Sequence, residues 1–113
     1  MSRERRERKR IGFSVNARIN VDSNWYDCSC SNISMSGMLI HCKQKFKKGS
    51  TGQIYIMQQS GSTKLNIKAN CEFTRDSVED QENDNFEVGL KFLRLLEDSS
   101  LNLYQIFRHY DAI

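Results

Sequence analysis

Proline is absent from the 113 residues, histidine occurs only twice, and no apolar run approaches the ~20 residues that a membrane span needs. Without proline, every strand-like segment keeps its backbone donors for pairing. With so few histidines and no apolar run, most catalytic histidine motifs and any helical membrane anchor are excluded. The N-terminus is charged with no apolar stretch behind it, so no secretory signal is expected. The expected setting is cytoplasmic, without membrane insertion. Four cysteines are present (Cys28, Cys30, Cys42 and Cys71), but no CxxC pair. In a reducing compartment this pattern argues for buried free thiols over disulfides, and no structural metal is expected. HExxH, a P-loop and a dinucleotide fingerprint are all missing, and no Ser–His–Asp order is visible. His41 and His109 fall on outward positions. The sequence therefore reads as that of a non-enzyme.

What is present is segregated charge and a clean period of two. The net charge is only +3, yet residues 1–10 carry six cationic side chains against two glutamates. "KQKFKK" adds Lys43, Lys45, Lys47 and Lys48, read as a solvated loop. "DSVEDQENDN" (76–85) holds five acidic groups and no basic one, and reads as a second solvated loop. From Ile11 onward, Phe13, Val15, Ala17, Ile19 and Val21 alternate with smaller or polar residues, which predicts a half-buried strand. Further strands are predicted from Trp25 to Ser31, through Met38, Ile40 and Cys42, over 52–59, over 64–75, and through Phe86, Val88, Leu90 and Phe92. The period then changes. Asp98 or Ser99 can cap a helix that carries Leu103, Ile106, Phe107 and Tyr110 on one face.

Six antiparallel strands followed by one helix predict a mainly β fold: a small six-stranded antiparallel barrel with a C-terminal α-helix over one side or mouth. Residues 1–10 form a flexible basic arm in this reading, and residues 11–113 a single domain.

Two motifs suggest a function. Arg6 and Arg10 stand in an RxxxR spacing that runs straight into the first strand. "NISMSG" is an N-x-S-x-x-G pattern, with Asn32, Ser34 and Gly37, placed after the second strand. A purely structural account exists for the latter, since Asn and Ser can satisfy backbone groups in a turn while Gly takes a positive φ. Taken in order, with "VGLKF" preceding the closing helix, the arrangement resembles the PilZ domain family of bacterial cyclic di-GMP receptors. The resemblance spans essentially the whole chain.

That resemblance implies a ligand, cyclic di-GMP, and no other cofactor. Arginine suits a compact dianion with two guanines, because its planar fork can meet guanine O6 and N7 or phosphate oxygens. By resemblance, Arg6 and Arg10 divide guanine and phosphate contacts, and Arg5 stacks or helps neutralise a second ligand. Asn32 bonds a guanine edge, Ser34 a phosphate or base, and Gly37 permits an approach that a Cβ would obstruct. Arg75 stands where the family sometimes offers a further contact, although a solvated strand-end arginine is the preferred account of it. Trp25 is read as packing rather than stacking on guanine. The implied output is an ordered arm read by a separate, unidentified effector protein. Two rival readings remain. One is a ligand-free PilZ-like adaptor, although such members typically lack these motif residues. The other is a small-barrel binder of single-stranded nucleic acid, which the shortage of outward aromatics beyond Tyr55 argues against.

Overall fold

The computed structural model describes residues 11–60 and 63–109, with side chains over 15–57 and 66–108. The barrel and closing helix expected from the sequence are both present. The strands are β1 (Ile11–Val21), β2 (Asn24–Ile33), β3 (Gly37–Cys42), β4 (Thr51–Ser60), β5 (Thr63–Phe73), β6 (Val78–Asp80) and β7 (Asn85–Leu96), followed by helix α1 (Ser99–His109). The sheet order is β3-β2-β1-β4-β5-β7-β6, all pairs are antiparallel, and a β3–β7 pairing closes it. The six long strands make the barrel, and closure removes the exposed edges that an open sheet would carry.

The inner face is the predicted one. Ala17, Ile19 and Val21 of β1, Cys28 and Cys30 of β2, and Met38, Ile40 and Cys42 of β3 are buried. So are Ile54 and Ile56 of β4, Ile67, Ala69, Cys71 and Phe73 of β5, and Val88 and Leu90 of β7. Helix α1 adds Leu103, Ile106 and Phe107 and lies against β5 and β7. At its start the Asp98 carbonyl accepts the Asn102 amide, while the buried Ser99 hydroxyl accepts the Lys68 amide of β5 at 2.7 Å. Ser99 thus ties the helix to the sheet. Tyr110 lies outside the described residues.

Two loops differ from expectation. The acidic block is not a plain loop, because Val78, Glu79 and Asp80 pair with Glu87, Phe86 and Asn85 of β7. The opposite edge of β7 is taken by β3 at Glu87 and Phe86, so β6 continues the edge that β5 occupies farther along. The basic loop is solvated only at its lysines. Phe46 in its midst is buried, stacks on Phe73 (4.6 Å between centroids, 6° between planes) and meets Tyr26 edge-on at 5.6 Å. The segment is fastened by Gly49 N to Phe73 O, Phe73 N to Ser50 O, Ser77 N to Phe46 O and Phe46 N to the Ser77 hydroxyl. An aromatic plug closes the core beneath a run of lysines.

Candidate functional site

The "NISMSG" segment makes the turn of the β2–β3 hairpin. Register irregularities converge on it. Between Gly12↔Asn32 and Val15↔Cys30, β1 carries two residues against Ser31 alone, and between Cys30↔Ile40 and Asn32↔Leu39, β2 carries Ser31 unmatched by β3. Extra residues of this kind bend a strand and re-aim the side chains that follow. The inward alternation of β2 therefore breaks after Cys30 and resumes at the fully buried Ile33, which leaves half-buried Asn32 at the bend.

Ser34 occupies the turn itself and is only 1 % exposed. Its amide donates to Gly37 O at 2.8 Å, and its hydroxyl oxygen accepts from Ser36 N and Gly37 N, both at 3.2 Å. The same hydroxyl lies 3.2 Å from Ser36 Oγ and 3.3 Å from Gly37 O. Ser36 O in turn accepts the Phe92 amide at 2.8 Å, tying the turn to β7. Ser34 is thus the internal knot of the hairpin, and any ligand contact it makes shares an oxygen already holding two backbone amides. Ser34→Ala removes that acceptor from a buried place. A stability loss of about 1–3 kcal/mol is expected, and chemical denaturation measures it. A midpoint equal to wild type would show that water replaces the hydroxyl at no cost.

Gly37 does not take a positive φ; among described glycines only Gly49 does (φ 87°). Its requirement is steric. A Cβ at position 37 would lie 2.2 Å from Leu90 O and 3.1 Å from Lys91 Cα, both backbone atoms of β7. The close approach that glycine permits here is that of the strand closing the barrel.

The register also says where β1 begins. Ile11 pairs with Ile33 and Gly12 with Asn32, so the chain enters β1 directly beside the turn. Arg5, Arg6 and Arg10 themselves lie outside the described residues. Arg75 is described, and the structure does not bring it to the turn: its Nη2 pairs with Glu87 Oε1 at 3.3 Å. Glu87 is the register partner of His41, four residues along β3 from Gly37, or roughly 14 Å of strand.

Sequence reasoning missed a polar cluster on the outer wall. His41 is not a plain surface residue: its side chain is only 17 % exposed. Nε2 lies 3.1 Å from Ser31 Oγ and 3.8 Å from Glu87 Oε2, while Nδ1 is 4.0 Å from Asp80 Oδ2. The carboxylates flank opposite ring nitrogens, so the three acid–base groups do not converge on one point. Asp80 is held below the ordinary carboxylate range, chiefly by the Asn83 side-chain amide at 2.8 Å. No alternation signal could have disclosed this, because Asp80 arrives from a strand unseen in the sequence. Trp25 is also corrected. It is 46 % exposed, with the Arg18 guanidinium 5.1 Å from its ring centroid, and does not pack in the core.

The thiols are as expected. All four cysteines are free and buried, and burial pushes Cys28, Cys30 and Cys71 up to about 12. Among the described residues no cluster of His, Cys, Asp or Glu could hold a metal ion, and no helix is long and apolar enough to cross a membrane.

Comparison with known proteins agrees with this geometry. No curated protein sequence matches the chain significantly. Solved structures do. The chain is similar to the inhibitor of motility MotI/DgrA of Bacillus subtilis (TM-score 0.77, 17 % identity, 96 % of this chain), but spans only 53 % of that protein. It is similar to the PilZ domain of YcgR from Escherichia coli, solved with cyclic di-GMP (TM-score 0.66, 14 % identity, 97 % of this chain and 100 % of that one). The PilZ domain of CeSA from a cellulose-synthesising bacterium is a further likeness (TM-score 0.62, 12 % identity, 91 % and 98 %). At these identities the structures establish the fold alone. The family model for the PilZ domain, however, matches residues 4–108. A match of that extent shows the family directly: the chain belongs to the PilZ domain family, whose members generally act as cyclic di-GMP receptors or signalling modules and are not catalysts.

Proposed function

We propose that this chain binds cyclic di-GMP at the β2–β3 turn, with Arg5, Arg6 and Arg10 closing over the ligand, and passes the signal to a separate protein in the cytoplasm. The observation that carries this reading is the pairing of Ile11 with Ile33 and Gly12 with Asn32. It sets the start of β1, which the RxxxR segment directly precedes in sequence, beside the N-x-S-x-x-G turn, and this supports the reading that two motifs far apart in sequence serve one ligand. Asn32 supplies an amide able to meet a guanine edge, and the arginines supply forks for guanine O6 and N7 or for phosphate oxygens. Binding joins arm and barrel into one surface, and that composite surface is what the partner reads. Ordering the arm costs roughly 1–2 kcal/mol per residue, so several charge-assisted bonds must form together. Arg75, paired with Glu87, is left outside the contact set.

Calorimetric titration with cyclic di-GMP, using GTP as control, tests this. Saturable binding of cyclic di-GMP alone is expected, and the stoichiometry separates one ligand from an intercalated pair. Absence of heat at high protein concentration would favour the adaptor reading instead.

A further inference from the structure

Of the four buried thiols, only two face each other. In the β2–β3 ladder Cys28 is the direct register partner of Cys42, whereas Cys30 faces Ile40 and Cys71 faces Gly52 and Phe92. Directly opposed residues in an antiparallel pair have Cα atoms about 4.5 or about 5.5 Å apart, depending on the kind of pair. Both spacings fall inside the roughly 4.4–6.8 Å range of disulfides. Cys28 and Cys42 also point to the same inner face, and both are buried. No such fit exists for Cys28 and Cys30: two steps along one strand place their Cα atoms near the far limit of that range, with a strand residue between them.

Access is uneven. The outer face of β2, β1 and β4 carries a groove of about 560 Å³ between Arg18, Asp27, Tyr55 and Met57, and Cys28 forms part of its wall. Cys42 has no place in that groove; its Sγ lies 3.5 Å from Asp27 O. Both side chains point inward, so an oxidant meets them only when the hairpin opens locally, and Cys28, 8 % exposed against 4 % for Cys42, is the first it meets.

We propose that Cys28 and Cys42 form an oxidation site, closing to an intramolecular disulfide that staples β2 to β3. With a small disulfide such as oxidised glutathione as oxidant, the Cys28 thiolate, having lost its proton to water, attacks one glutathione sulfur. The glutathione S–S bond breaks, the first glutathione leaves as a thiolate, and a mixed disulfide remains on Cys28. The Cys42 thiolate then attacks the Cys28 sulfur and releases the second glutathione. Two protein thiols are oxidised by two electrons, and one glutathione disulfide is reduced to two thiols. Burial keeps the Cys28 thiolate scarce at neutral pH, so the pair closes slowly under sustained oxidant and is no fast sensor. The staple lies at the end of the hairpin opposite the Asn32–Gly37 turn, and it would brace the element on which the proposed ligand site is built.

The test is exposure of the reduced, folded full chain to oxidised glutathione, followed by intact mass and a non-reducing peptide map. Expected are the loss of two hydrogens, a single Cys28–Cys42 cross-link, and a thermal midpoint raised by on the order of 10 °C. In Cys42→Ala the reaction should stop at glutathione on Cys28. Cross-links through Cys30 or Cys71, cross-links between two chains, four thiols that stay reduced, or a lowered midpoint would each overturn the proposal. The wild-type map decides the matter even if the variant folds poorly.

Discussion

Alanine at position 37 is expected to destabilise the fold by more than about 3 kcal/mol, beyond the usual overpacking cost. The added Cβ would meet Leu90 O at 2.2 Å, with Lys91 Cα at 3.1 Å and Leu90 C at 3.2 Å behind it. None of these atoms belongs to a side chain that could swing away. Either β3 or β7 must shift, and their pairing from Gly37↔Lys91 to Cys42↔Phe86 is the seam that closes the barrel. The shift would also strain the bond from Phe92 N to Ser36 O, and with it the turn that Ser34 holds together. Gly89→Ala is the matched control. There a Cβ meets only Thr74 Oγ1 at 3.2 Å, a side-chain atom able to give way, and an effect within about 1 kcal/mol is expected. Urea denaturation of the two variants decides between steric closure and a ligand-only role for Gly37. If Gly37→Ala unfolds within about 1 kcal/mol of wild type, the backbones are not held where the structure puts them.

The contrast between these two glycines shows what the sequence could and could not disclose. Strand alternation fixed almost the entire inner face, because one face of each strand is buried and the side-chain period is two. It failed where the backbone departs from that period. Ile33 was missed because the extra residue at Ser31 resets the alternation, and a bulge leaves no mark in residue type. Phe46 was missed because a run of lysines signals solvent, and only tertiary packing shows an aromatic turning inward beneath them. Short β6 was missed because Val78–Asp80 carries strand pairing without an apolar face, sustained by the free edge of β7 alone.

The site was legible in a different way. The residue pattern around Asn32, Ser34 and Gly37 identified the turn and, through the family resemblance, the ligand proposed for it. The division of labour within it was not legible. A serine hydroxyl in a motif reads equally as a ligand contact or as the knot of a turn, and only its burial and its two amide donors show that it ties the turn. A motif glycine likewise reads as room for a ligand until the strand behind it is seen.

Removing the Arg10 side chain is expected to abolish measurable cyclic di-GMP binding while leaving the barrel's stability unchanged. Arg10 directly precedes Ile11, the first residue of β1 and the partner of Ile33. In the proposed arrangement it is the arginine fixed closest to the turn, so its fork has the least freedom to lose on binding. Losing a charged hydrogen-bonding partner in a partly desolvated contact costs roughly 1.5–3 kcal/mol per bond, and a bidentate fork makes two. A loss of 100-fold or more in affinity is therefore expected, enough to take micromolar binding out of calorimetric range. Arg6→Ala should do the same, since the two arginines divide the guanine and phosphate contacts. Arg10→Lys separates charge from geometry: it keeps the cation but not the planar fork, and an intermediate loss of about tenfold points to bidentate recognition. Complete rescue by lysine would instead mean that Arg10 serves only as a point charge, and the affinity of wild type should then fall steeply with salt. If Arg10→Ala binds as tightly as wild type, the ligand is held elsewhere on the barrel, and the proposed pairing of arm and turn is wrong even though the family is not in question.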